Sequence, residues 1–231
     1  MTVKEVENIP YAYEISDYDY IAGLKSFQDG MYQIQDISSM LAGEYTAPKA
    51  GDTIVDVCGA PGGKSINAAL KMLEQGDCGR VIARDLSDYK VALIDENIKR
   101  LNITNIQTQV YDALDCDESL INKADIVIAD LPCSGLGIIG RKPDIKYNAS
   151  PEKLQSLVDL QRDILKVVSR YVKSGGVLMY STCTINRAEN EDNADWICKE
   201  SGFTKDGEYH QLLPANNSGM DGFFVARLIK S

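Results

Sequence analysis

Thr53-Ile54-Val55-Asp56-Val57-Cys58-Gly59-Ala60-Pro61-Gly62-Gly63-Lys64-Ser65 is the stretch that decides the fold. A short apolar run of strand length meets a glycine-rich turn, and a helix-like stretch, Lys64–Leu73, follows at once. Strand, tight glycine loop and helix amino end together make the opening unit of a parallel sheet that holds a ligand at its strand ends. The glycines let the backbone approach a ligand closely, and the helix amino end adds a favourable positive dipole.

The same alternation continues outward. Strand-like runs occupy Arg80–Ala83, Ile106–Tyr111, Asp125–Ala129 and Gly176–Tyr180, and helix-like stretches occupy Asp88–Arg100, Pro151–Val172 and Ala188–Glu200. Ser150 and Pro151 suit a helix cap and first turn. Strands alternating with helices predict an α/β, Rossmann-like, mostly parallel sheet. Residues 203–230 lack a helical pattern; the run Phe223–Leu228, preceded by a turn at Asn216-Asn217-Ser218-Gly219, predicts an antiparallel C-terminal hairpin on the sheet edge. Residues 1–50 carry eight acidic residues and three lysines with little periodicity. They are expected to form an N-terminal appendage packed on a core of residues 51–231. Within it, Gln33-Ile34-Gln35 is a candidate strand and Asp36 a candidate helix cap.

The 231 residues suffice for one large α/β domain. Net charge of −10 argues against broad, sequence-independent nucleic-acid binding, although Arg141, Lys142 and Lys146 form a local basic strip. No apolar run reaches membrane-spanning length, and the polar start offers no secretory signal. Six cysteines without a CxxC pair, and His210 as the single histidine, predict a cytoplasmic chain with no metal site. A monomer is expected.

The ligand is narrowed by what surrounds the loop. Gly63-Lys64-Ser65 matches the end of a phosphate-binding ATPase loop, but Cys58 stands where that loop needs its first glycine, and the loop lacks the dinucleotide spacing G-x-G-x-x-G. Asp85, Asp112 and Asp130 follow the second, third and fourth strands. Carboxylates at those ends suit a ribose diol, an adenine amino group and a positive charge, and they oppose a triphosphate. S-adenosylmethionine meets all three requirements. Its candidate contacts are Cys58, Gly59, Ala60, Pro61, Gly62, Gly63, Lys64, Asp85, Asp112 and Asp130.

Two cysteine motifs also follow strand-like runs: Asp130-Leu131-Pro132-Cys133-Ser134-Gly135 and Ser181-Thr182-Cys183-Thr184. With Asp56–Lys64, Arg141–Tyr147, Gln35–Ser39 and Asp221–Phe224, they resemble in order the motifs of the Sun/RsmB family of RNA 5-methylcytosine methyltransferases. The resemblance runs from about residue 30 to the end. Gly59 departs from it, since the family usually has alanine there, and the change is expected to be tolerated. The resemblance implies an S-adenosylmethionine-dependent enzyme acting on RNA, with small-subunit ribosomal RNA first and transfer RNA second. It makes Cys183 the nucleophile and assigns Cys133 to product release, Asp130 to ring activation and Lys64 to a further base contact. A thiol is needed because C5 of cytosine is a poor nucleophile until a thiolate adds at C6. The thiolate is expected to draw on a helix start near Ala188 or on a neighbouring cation. Arg141 and Asp144 are expected to hold the floor of the site or meet RNA, and Cys58, Cys78, Cys116 and Cys198 to be ordinary buried thiols. Bacterial members resemble longer chains with a preceding helical RNA-binding region, so this chain is expected to bind RNA weakly alone. An ATPase, a non-catalytic RNA-binding relic and a DNA cytosine methyltransferase, in which the Pro-Cys thiol attacks, are the competing classes.

Overall fold

A computed structural model describes residues 1–7, 9–76, 79–214 and 220–231. In chain order the elements are β1 (Thr2–Glu5), β2 (Tyr13–Ser16), α1 (Lys25–Gln28), α2 (Ile37–Thr46), β3 (Thr53–Asp56), α3 (Gly63–Glu74), β4 (Arg80–Asp85) and α4 (Asp88–Arg100). Then follow β5 (Ile106–Val110), β6 (Ala124–Asp130), α5 (Ile145–Asn148), α6 (Pro151–Val168), β7 (Val172–Thr182), α7 (Glu191–Ser201), β8 (Phe203–Lys205), β9 (His210–Leu212) and β10 (Phe223–Lys230).

The main sheet runs β5-β4-β3-β6-β7-β10-β8, with β9 also paired to β10. From β5 to β7 the strands are parallel, and β10 is antiparallel to β7, β8 and β9. This is the predicted Rossmann-like α/β sheet. Side-chain alternation divides the core into two layers. Val127 and Ala129 join Ile164, Leu165 and Ala194 of α6 and α7 on one face. Ile126 and Ile128 join Ala42, Ile66 and Met72 of α2 and α3 on the other. The chain leaves β3 towards β4 and β5, then returns to place β6 on the other side of β3, so the β3/β6 gap is the topological switch point.

Differences from the sequence-based expectations have local causes. Residues 33–35 are not a strand, but Asp36 does cap α2, its carboxylate accepting from Ser38 N at 2.9 Å. The helix predicted to reach Val172 stops at Val168, because Tyr171 and Val172 turn into the core and β7 begins there. The helix expected from Ala188 starts at Glu191; buried Glu189 and Asn190 are occupied in hydrogen bonds of the preceding loop. The C-terminal antiparallel strands do form one end of the sheet, and within it β10 lies between β7 and β8, with Ala226 opposite Tyr180. The turn expected at residues 216–219 lies outside the described residues, as does Cys78. The N-terminal stretch contains a hairpin, β1–β2, which the sequence reading did not find.

Candidate active site

The glycine loop between β3 and α3 is held mainly by its own backbone. Gly59 N donates to Arg84 O at 2.7 Å, Gly62 N to Gly59 O at 2.6 Å, and Ala60 N to the Asp85 carboxylate at 3.0 Å. Gly62 caps α3 with φ at 105°, a left-handed conformation that a side chain resists. Pro61 is exposed, and its carbonyl accepts from Asn97 at 3.0 Å. Under the loop, Asp56 is buried, and its Oδ2 accepts from Ser65 Oγ at 2.6 Å. Burial pushes Asp56 up to about 7, against the Ser65 hydrogen bond and the Lys64 charge. Cys58 packs on the core, and its thiol is pushed up by burial and by the charges of Asp56, Asp85 and Asp130.

Asp85 closes β4. It takes Leu86 N at 2.8 Å and Lys90 Nζ at 2.9 Å on Oδ1, besides Ala60 N on Oδ2, and only 4% of its side chain is exposed. Three of a carboxylate's roughly four acceptor positions are therefore filled. Asp112, two residues past β5, accepts Leu114 N at 2.9 Å in a turn and is half-buried.

Lys64 and Asp130 meet across the switch point. Lys64 Nζ lies 2.6 Å from Asp130 Oδ2 and 3.0 Å from Ser39 Oγ of α2, and 5.1 Å from the centroid of the Phe223 ring. Asp130 Oδ1 accepts from Ser181 Oγ at 2.8 Å. With its lysine engaged by a carboxylate, the loop is unsuited to a triphosphate. Close-approach glycines and carboxylates at the ends of β4 and β6 fit an adenosyl sulfonium, and the residues that would hold it are the loop 58–64 with Asp85 and Asp130, and Asp112 past the end of β5.

Beside this ion pair the two cysteine motifs converge: Cys133 Sγ lies 3.1 Å from Cys183 Sγ. The Cys183 thiol is lowered by the hydrogen bond from Cys133 and further by the Lys64 charge, against burial and Asp130. Cys133 is raised, first by the same hydrogen bond and then by burial. The Cys133 hydrogen bond first, and the Lys64 charge second, are thus what favour a thiolate at Cys183. Backbones pack closely here. Gly137 N donates to Cys183 O at 3.1 Å, and Gly222 N donates to Gly137 O at 2.8 Å. A Cβ on Gly137 would stand 2.2 Å from Gly222 O, so only glycine fits. Gly135-Leu136-Gly137-Ile138-Ile139-Gly140 carries the dinucleotide spacing, yet it forms a 3-10 turn after β6 rather than a strand-to-helix phosphate cradle.

Arg141 pairs with Asp36 and, at 3.0 Å, with Asp221, tying the post-Cys133 loop to the cap of α2 and to the approach to β10. Asp144 is exposed and precedes α5 without a side-chain capping bond. Two groups of contributors escaped the sequence reading. Ser39 lies in the Gln35–Ser39 motif, which by itself gives it no role. Glu189, Gln161, Asn190 and Tyr180 form a buried polar layer behind the thiols. Gln161 carried one signal: it lies on the buried stripe of α6 between Val158 and Ile164, where an apolar residue is expected.

Among the described residues no group of His, Cys, Asp and Glu is placed to hold a metal, and no helix is long and apolar enough to cross a membrane.

The profile of the 16S rRNA methyltransferase RsmB/F family matches residues 44–229. A probable ribosomal RNA small subunit methyltransferase B of Bacillus subtilis is 38% identical over 229 residues, covering 91% of this chain and 50% of the relative. The corresponding protein of Synechocystis is 34% identical over 228 residues, with 91% and 50% covered. This chain therefore spans about half the length of these relatives. The crystal structure of NSun6 from Pyrococcus horikoshii with SFG, an S-adenosylmethionine analogue, superposes with a TM-score of 0.81 at 28% identity, covering 92% of this chain and 56% of that one. Sheet order, glycine loop, paired thiols and these matches agree: the chain belongs to the RsmB/F family of S-adenosylmethionine-dependent rRNA methyltransferases.

Proposed function

We propose that this chain methylates C5 of a cytosine in RNA through a covalent adduct between Cys183 and C6. The observation that carries the reading is the thiol pair at 3.1 Å, set beside the Lys64–Asp130 ion pair at the β3/β6 switch point. When bound, S-adenosylmethionine supplies an electrophilic methyl group on a sulfonium. The Cys183 thiolate adds to C6, and the electron pair moves to C5, which takes the methyl group. Asp130, held by Lys64 and Ser181, contacts and activates the ring, and Lys64 gives a further base contact. Transfer of the C5 proton to a water molecule acting as base returns the pair to the C5–C6 bond and expels the Cys183 thiolate. Cys133 assists that departure by hydrogen bonding to the leaving sulfur. The target base leaves its stack to reach the thiol.

In this reading residues 51–231 are the catalytic unit and residues 1–50 an appendage, with α2 lending Ser39 to Lys64. The substrate is small-subunit ribosomal RNA, with transfer RNA second, and the chain acts as a cytoplasmic monomer. A net charge of −10 makes its affinity for RNA on its own weak. RNA affinity equal to that of a longer relative at the same salt would contradict this. The deciding experiment uses labelled methyl donor and RNA with Cys133→Ala. A covalent protein–RNA adduct should accumulate in that variant; accumulation in Cys183→Ala instead reverses the two roles.

A further inference from the structure

Glu189 is fully buried, at 0% exposure, yet every hydrogen-bond donor that reaches its side chain among the described residues is neutral. Buried carboxylates ordinarily sit with a cation, and such a departure from local rules marks functional sites. Oε2 accepts from Ser134 N at 2.9 Å and from Gln161 Nε2 at 3.0 Å, while Oε1 accepts from Asn186 Nδ2 at 2.9 Å. Gln161 Nε2 also donates to Pro132 O at 2.9 Å, and Gln161 Oε1 is held by Asn193 Nδ2 at 2.9 Å. The Glu189 carbonyl accepts from the buried Tyr180 hydroxyl. One carboxylate therefore grips the residues on both sides of Cys133, Ser134 directly and Pro132 through Gln161. Its other oxygen grips Asn186, three residues past Cys183. A bridge of 2.7 Å between Ser134 Oγ and Thr184 Oγ1 joins the two loops beside it.

We infer that Glu189, relayed by Gln161, is a positioning residue that keeps the Cys133 and Cys183 thiols within hydrogen-bond reach of each other. The inference rests on the proposed reading of Cys183 as nucleophile and deepens it. A carboxylate is required because acceptors are needed on both sides. A glutamine of the same shape has one acceptor oxygen, and it turns an N–H group towards either Asn186 Nδ2 or the Ser134 and Gln161 donors. One of the two loops then loses its anchor, and Cys183 loses the donor that favours its thiolate.

The test needs neither RNA nor methyl donor. Alkylation of Cys183 by iodoacetamide is followed against pH in the full chain, with peptide-resolved mass spectrometry and a melting curve for each variant. Near pH 7, Glu189→Gln should slow Cys183 alkylation about tenfold, which corresponds to about one pKa unit upward. Cys133→Ala should slow it to the same degree, and the double variant should slow it no further, because both changes remove one hydrogen bond. A wild-type profile in Glu189→Gln overturns the inference, and so does additive slowing in the double variant, which a general loosening would give. If Glu189→Gln does not fold, Gln161→Met provides the same readout: about tenfold slowing supports the inference and a wild-type profile overturns it. Absence of methyl transfer by the wild-type chain would defeat the proposed function while leaving the alkylation result standing. A wild-type profile in an active enzyme would defeat the positioning role alone.

Discussion

The loops after β3 and β4 and the loops after β6 and β7 share one edge of one sheet, but they are built from different material. On the glycine-loop side the chain holds itself mainly by main-chain contacts, Gly59 N to Arg84 O and Gly62 N to Gly59 O, with one side-chain anchor, the Asp85 carboxylate that accepts from Ala60 N. On the thiol side, side chains add to backbone contacts such as Gly137 N to Cys183 O: Glu189 and Gln161 behind Cys133, Asn190 bridging Thr182 Oγ1 at 2.6 Å and Thr184 O at 3.0 Å, and Lys64 against Asp130. A cradle held mainly by backbone is more sensitive to added Cβ atoms than to acceptor chemistry, Asp85 apart. A side-chain network has the opposite sensitivity, since one misplaced donor leaves a buried group unpaired.

That contrast can be broken by separating the two sides. Cys183→Ala should abolish methyl transfer while calorimetry finds S-adenosylmethionine affinity within about twofold of wild type; loss of both would mean the sides are one unit. The next effect belongs to Asp56, beneath the cofactor loop. Its folded value of about 7 lies above the ordinary value of about 3.9, so the folded state binds more protons between those limits. The stability contributed by protonated Asp56 is present at low pH and is lost as pH rises through that window. Urea denaturation should show the wild type losing on the order of 2 kcal/mol from this group between about pH 5 and about pH 8. Asp56→Asn should remove that part of the loss; an unchanged pH dependence would show that Asp56 does not carry it. Gly62→Ala places a Cβ at φ 105°, a conformation that costs about 1–2 kcal/mol. It should weaken S-adenosylmethionine binding about tenfold and leave the Cys183 alkylation rate unchanged; a changed rate would join the two sides. Gly59→Ala should do least. Its Cβ would stand 3.2 Å from the Asp56 carboxylate, close enough to make that side chain give, so a loss of about 0.5–1 kcal/mol in denaturation is expected. A larger loss would show that Asp56 is held too firmly to move.

The same division explains what could be read in advance. Gly62 and Asp36 announce themselves because backbone conformation and capping restrict residue choice locally. Asp85, Asp112 and Asp130 were legible because parallel strands bring their ends to one edge. The thiol network was not legible, because Glu189 meets Ser134 and Gln161 across sequence distances that no periodicity encodes. Gln161 broke the apolar stripe of α6, but its partner was invisible from the helix alone. The run Phe223–Leu228 read correctly as a strand, yet apolar content does not name a strand's neighbours. The hairpin β1–β2 is mostly exposed, so no burial pattern marks its strands.

β10 has a consequence for how the molecule is made. It joins β7 to both β8 and β9, and Phe224, Ala226 and Leu228 lie in the core. While the chain emerges from the ribosome, β7 therefore waits with an unpaired apolar edge until residues 223–230 have been made. Nascent chains arrested before Phe223 should be cut by protease within β7, and release of the last strand should confer protection. Synthesis of that strand, more than assembly of the parallel half, is what covers the apolar edge of β7.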